Sequence, residues 1–233
     1  MARSTKTCNP EQLKWIWSYR EQLKLLDKFD AEGIRCAKNG WDNDSWARFL
    51  NTYGLNQGHQ AEFRHKREKV LRAIDQVFKP ELCKTGTVGE LTNRWKKSVS
   101  KIGCLAKKKK KNGGNPELWS MASKLFWFYQ PTEMTMYDSN AVKGLKAVSG
   151  CVITPQNFLE KFEELFKNKQ TSISEAANFS DREYPYPRRV LDKWLWLKGS
   201  GKEAVYLHQF QWSLELAPIR RACTNQSFNP RER

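Results

Sequence analysis

The spacing of apolar residues constrains this chain more than any other feature: they recur at three and four positions almost from end to end, and no convincing run alternates. A 3.6-residue repeat lays such side chains along one side of a helix, whereas a half-buried strand needs a period of two. An all-α fold is therefore expected. Asn9-Pro10 opens a first helix with a cap followed by proline, and Leu13, Ile16, Trp17, Leu23 and Leu26 form a stripe extending toward Phe29. Further helices are predicted near 43–53, 58–78, 88–100, 116–130, 139–148, 155–168, 187–198 and 203–216, with an extended or turn-like stretch over 132–137. No internal repeat is visible.

One boundary interrupts the pattern. Lys107 to Lys111 followed by Asn112-Gly113-Gly114 cannot pack in a core and breaks helix at its end. The expected organisation is a single two-lobed helical domain over 1–233, with an N-terminal lobe at 1–105, a basic loop at 106–115 and a second lobe at 116–233. Only 39% of the residues are hydrophobic, but 10 Trp, 7 Tyr and 12 Phe supply a real core beneath a very polar surface. A second punctuation, Tyr184-Pro185-Tyr186-Pro187-Arg188-Arg189, stiffens the entry to a helix carrying Trp194 and Trp196 and reads as packing.

The formal charge of +16 is concentrated. Lys84, Arg94, Lys96, Lys97, Lys101 and Lys107 to Lys111 face a single acid, Glu90, across 28 residues. A polyanion suits such a field, because each phosphate neutralised releases condensed counterions. Lys107, Lys108, Lys109, Lys110 and Lys111 are the expected contacts to a DNA backbone; a lone lysine string is otherwise a solubilising run.

Several chemistries lack their signatures. Cys8, Cys36, Cys83, Cys104, Cys151 and Cys223 are far apart and read as reduced thiols, and His59, His65 and His208 form no zinc spacing. No metal and no cofactor are expected. Phosphate-binding P-loops, dinucleotide fingerprints and serine nucleophile elbows are also missing. No run reaches the ~18 apolar residues of a membrane helix, and Met1 to Asn9 has no signal-type stretch. A cytoplasmic monomer, with bacterial nucleoid DNA as the setting, is the expectation.

Chemistry is expected between Leu118 and Leu145. On a helix over 116–130, Leu118, Met121, Ala122, Leu125, Phe128 and Tyr129 share an apolar stripe at ~100° per residue, leaving Ser120, Ser123, Lys124 and Trp127 on the other side as a working surface. Pro131 stops this helix, and Asp138 is placed as the N-cap of the next.

The string A-S-K-L-x-x-F-x-x-P-x-x-x-x-x-Y-D-S-N-A-V, from Ala122 to Val142, resembles a segment of the helix-hairpin-helix DNA glycosylases, most closely their 8-oxoguanine glycosylase-like branch. In that superfamily a helix leads through a short link to an aspartate facing the sugar of a flipped-out nucleotide, and Asp138 is the matching position. Arg188 to Gly199, R-R-V-L-D-K-W-L-W-L-K-G, is similar to a C-terminal helix of that branch. The family's compact hairpin turn is replaced here by Gly113-Gly114-Asn115-Pro116, so a degenerate hairpin is implied. Aligning Ala122-Ser123 with the family's small-residue pair puts its lysine nucleophile near Ser120, which cannot form a Schiff base. The resemblance thus implies a monofunctional DNA glycosylase leaving an abasic site, with Lys124 either a phosphate contact or a nucleophile.

The residues support the same picture from below. A fixed carboxylate stabilises positive charge developing on deoxyribose, although an Asp before a helix also serves simply as a cap. An extruded base needs an aromatic pocket. Tyr137 and Trp127 are the candidates for base or sugar contact, and Ser120 and Ser123 for the DNA backbone. Double-stranded DNA is the expected partner, no nucleotide cofactor is implied, and hypermodified phage DNA is a target compatible with a defence role. The other class in contention is a non-catalytic DNA-binding protein that keeps the fold.

Overall fold

The computed structural model describes residues 9–55, 63, 67–74, 79–105 and 118–213, and among them no strand occurs. Helix α1 (Pro10–Leu25) runs through a π-helical turn (Leu26–Asp30) into α2 (Ala31–Asn39). There follow α3 (Asn43–Thr52), α4 (Arg67–Ala73), α5 (Lys79–Leu82), α6 (Val88–Leu105), α7 (Trp119–Tyr129), α8 (Ser139–Ser149), α9 (Phe158–Ala177) and α10 (Pro187–Gly199). A further helix, α11, covers 203–213. The all-α expectation holds, and no helix among the described residues is long and apolar enough to cross a membrane.

Local chemistry sets most of the boundaries. The Asn9 side chain accepts a hydrogen bond from Gln12 N at 2.8 Å, with Pro10 at the first helical position, where a missing N–H costs nothing. Asp42 and Ser45 close a reciprocal capping box on α3, and α8 ends at Gly150, whose φ of 69° suits glycine. The sequence pattern carried the first helix only toward Phe29. In the structure the wider π turn rotates the chain there, so that Phe29 and Asp30 both point inward and α2 begins without a break.

The core is one continuous cluster. Helix α7 lies at its centre, packed between α6 and α2, while α1 packs against α9 and α10. The N-terminal helix thus shares a layer with the C-terminal ones, joined by the stacked rings of Trp15 and Trp194 at 4.6 Å. Phe128 sits edge-on within an aromatic nest of Phe29, Trp41, Phe49 and Tyr53. The basic loop Lys107 to Lys111 and the expected hairpin at Gly113-Gly114-Asn115-Pro116 lie outside the described residues.

The closest helix contact positions the site. A Cβ on Gly144 would lie 2.0 Å from the Leu195 carbonyl oxygen, and one on Gly199 would lie 1.9 Å from that of Asn140. Glycine at both places lets α8 and α10 meet backbone to backbone. The helices run antiparallel there, with Asn140 at the start of α8 against Gly199 at the end of α10, and Asp138, which caps α8, lines one cavity with Asp192, Lys193 and Trp196 of α10.

Candidate active site

The site is assembled at the junction of α7, the extended link 134–138 and α10. Ser123 makes the first connection: its hydroxyl donates to the Ser120 carbonyl at 2.9 Å and accepts from Tyr137 N at 2.8 Å. The link is thereby tied alongside α7. Its side chains alternate, as an extended strand requires, so Met136 and Asp138 face a cavity while Tyr137 turns the other way. Tyr137 packs edge-on against Phe158 at 5.0 Å and lies 5.3 Å from Trp95. Ser123→Ala should leave the Tyr137 N–H without this partner, costing about 1–3 kcal/mol, and loosen Asp138. Urea denaturation of this variant beside the parent measures that cost.

The two oxygens of Asp138 meet different partners. Oδ1 accepts from Asn140 N at 2.9 Å, which caps α8, and Oδ2 faces Lys124 Nζ at 3.7 Å. Lys124 is only 6% exposed and donates to Ser120 Oγ at 2.7 Å. Burial lowers the Lys124 pKa from the ordinary lysine value; the carboxylates of Asp138 and Asp192 work against that shift, and the Arg189 guanidinium adds to it.

A cavity of about 220 Å³ opens beside this pair, lined by Gln22, Tyr53, Arg189, Asp192, Lys193 and Trp196 among others. Its polar wall is unusual. Arg189 is ion-paired with Asp192 Oδ2, yet Asp192 Oδ1 and Arg189 Nε have no hydrogen-bond partner among the described residues, nor has Gln22 Nε2. Gln22 Oε1 accepts from the Tyr184 hydroxyl at 3.4 Å, which fixes the amide with its nitrogen free. Buried polar atoms are normally satisfied, so three such atoms on residues lining one cavity fit a polar ligand. Behind them, the Tyr53 hydroxyl donates to Asp30 Oδ1. Burial pushes the Asp192 carboxyl up to about 6 against the pull of Arg189, and it also raises Asp30. The Lys193 ammonium lies over the rings of Trp196 at 4.2 Å and Trp17 at 5.1 Å, holding the indole that walls the cavity.

The expected working surface on α7 is corrected. Ser123, Lys124 and Trp127 are 1%, 6% and 0% exposed, and Ser120 is half-buried, because the link and α10 cover the side opposite the apolar stripe. Trp127 is enclosed by Phe128, by Tyr186 at 5.6 Å and by the Arg189 guanidinium at 5.1 Å, so it cannot stack a base. The Ser123 hydroxyl is committed internally, and Ser120 holds Lys124 rather than a phosphate. Tyr137 is half-buried away from the cavity. Lys107 to Lys111 fall outside the described residues.

Sequence reasoning missed Asp192, Arg189, Gln22 and Trp196, having read the helix after Pro187 as packing. Their available signal was the pair Arg189 and Asp192 at i, i+3 among the apolar Val190, Leu191, Trp194 and Leu195, since such charges are rarely buried without a reason. No group of three or more His, Cys, Asp or Glu that could hold a metal ion occurs among the described residues. No protein-family model, curated protein or solved structure matches the chain.

Proposed function

We propose that this chain is a DNA glycosylase that removes a damaged or modified base from duplex DNA. The observation that carries the reading is the pairing of buried Lys124 with the partly exposed Asp138 at the wall of a cavity with unpaired hydrogen-bonding atoms. Extrusion would place the target base in the cavity, where Asp192, Arg189 and Gln22 offer an acceptor and two donors to its edge and Trp196 offers a face. Asp138 would stabilise the positive charge that develops on the sugar.

The burial of Lys124 favours its amine as nucleophile, in place of the water attack expected from the sequence. The amine would form a bond to C1′ as the bond from C1′ to the base nitrogen breaks and its electron pair leaves with the base. The base then takes up a proton. Asp192, raised to about 6, is a group able to supply one near neutrality. The nitrogen bound to C1′ loses a proton, its lone pair forms the double bond to C1′ as the C1′–O4′ bond breaks, and O4′ takes up a proton. The opened sugar is left joined to Lys124 as a protonated imine, which water hydrolyses to the abasic aldehyde.

The test uses a panel of modified duplexes and phage DNA. Alkali-labile sites together with a borohydride-trapped covalent complex, lost in Lys124→Gln, are expected. Alkali-labile sites without trapping would return the mechanism to water and make the enzyme monofunctional. No excision on any substrate, with DNA binding intact, would favour the non-catalytic binding protein.

A further inference from the structure

The outward side of α6 carries three lysines that make no ion pair among the described residues. Taking Lys96 as zero and ~100° per residue, Asn93, Lys96, Lys97, Ser100, Lys101 and Cys104 occupy one arc of about 140°. All six are exposed, and none is acidic or large and apolar. Leu91, Trp95, Ser98, Val99, Ile102 and Gly103 fill the opposite arc and are buried. Several other cations are paired: Lys14 with Glu11 and Glu203, Lys24 with Glu21, Lys161 with Glu164, Arg182 with Asp27 and Arg188 with Glu163. Among the described residues, Lys96, Lys97 and Lys101 form no ion pair. Glu90, the one acid on α6, lies at about 120° on the same arc, nearly two turns before Lys97, and there its carboxylate is engaged by Thr87 N at 2.7 Å and the Thr87 hydroxyl at 3.0 Å rather than by a lysine.

We infer that this face of α6 is a binding surface for the phosphate backbone of duplex DNA, through Lys96, Lys97 and Lys101; the choice of DNA rests on the glycosylase reading above. The three lysines span five residues, a rise of ~7.5 Å at 1.5 Å per residue. That matches two to three phosphates of one strand, at ~3.4 Å of duplex axis per phosphate. A solvated face would serve solubility equally with mixed charge, as on α9, where Lys161 is interleaved with Glu160 and Glu164. An anionic bilayer is the poorer partner, because an interfacial helix needs an apolar side to insert and the outward arc has none.

The surface is rigidly joined to the site. Trp95, on the buried side of α6, donates its indole N–H to the Trp119 carbonyl at 3.2 Å, at the start of the helix carrying Lys124. The same ring touches Tyr137, the neighbour of Asp138. A backbone held on α6 is therefore held at a fixed offset from the Lys124–Asp138 pair, since Trp95 bridges both elements that carry it.

The experiment measures affinity of the full chain for an unmodified duplex by fluorescence anisotropy across a salt series. The triple variant Lys96→Gln/Lys97→Gln/Lys101→Gln should lower the slope of log K against log salt by about 0.9 for each phosphate no longer neutralised, up to ~2.7 in all, and weaken modified and unmodified duplexes alike. A charge-matched control, Lys38→Gln/Lys167→Gln/Lys202→Gln, removes exposed lysines from three other places and should leave the slope near that of the parent. An unchanged slope in the α6 variant, or an equal fall in the control, overturns the surface. So does a fall in binding to anionic lipid vesicles with DNA affinity intact. If the slope falls as expected but no substrate is ever excised, the glycosylase reading fails and the α6 surface stands. Excision with an unchanged slope is the reverse result.

Discussion

Asp138→Asn is expected to lower the excision rate on the order of 10²–10³, while the protein melts near the parent temperature and binds DNA as before. The structure gives this substitution an unusually clean meaning. Oδ1 makes the cap to Asn140 N, and an asparagine carbonyl oxygen caps nearly as well. What changes is Oδ2, which faces Lys124 at 3.7 Å and becomes an uncharged amide. A role confined to capping therefore predicts normal excision. The same variant also separates the two parts of the mechanism. A pre-made abasic site carries an aldehyde that needs no departing base, so its borohydride trapping on Lys124 should survive Asp138→Asn while excision of an intact base does not. Failure of both with the fold intact would mean that Asp138 acts chiefly by orienting the lysine. Normal excision would remove Asp138 from the chemistry.

The helices were legible wherever local chemistry agreed with the apolar period: Asn9-Pro10 for α1, Asp138 for α8 and Pro187 for α10 lie at their observed starts. Helix α2 was not, because the π turn shifts the phase of the stripe at Phe29, and a period search registers that shift as an end. At α7 the failure was of another kind. A helical wheel assigns one buried side, whereas this helix sits between neighbours and is buried nearly all round; Leu125 to Tyr129, five large residues in succession, already exceed what one side can hold. The Lys124–Asp138 pair spans only fourteen positions, with a proline-stopped helix and an extended link between, so its proximity could be anticipated from the sequence. Gln22, Asp192 and Trp196 reach the same cavity through the glycine contact between α8 and α10 and the packing of α1 on α10. No local pattern encodes those two contacts.

Arg189→Leu should destabilise the protein by about 3–5 kcal/mol at neutral pH, because it leaves buried carboxylate without its cation. Arg189 is ion-paired with Asp192, and its charge also acts on Asp30 and on the hydroxyls of Tyr53 and Tyr184. The deficit should depend on pH, which distinguishes it from a loss of packing against Trp127. In the parent, burial holds the Asp192 proton up to about pH 6, whereas the unfolded chain releases it near the ordinary value of 3.8. Between those values the folded state binds more protons, so this group's contribution to stability is full below about pH 4 and is lost as pH rises through 6. Without Arg189, nothing draws the proton off as strongly, and the folded-state pKa of Asp192 rises further. The window over which stability is lost then extends upward, with Asp30 moving in the same direction. The deficit of Arg189→Leu relative to the parent should accordingly be smaller at pH 5, where Asp192 is largely protonated and neutral, and larger at pH 8. Urea denaturation at the two pH values measures both differences. A deficit that is the same at pH 5 and pH 8 would mean that Arg189 serves the fold as a packed side chain over Trp127, and that the buried carboxylate is held by something other than its charge.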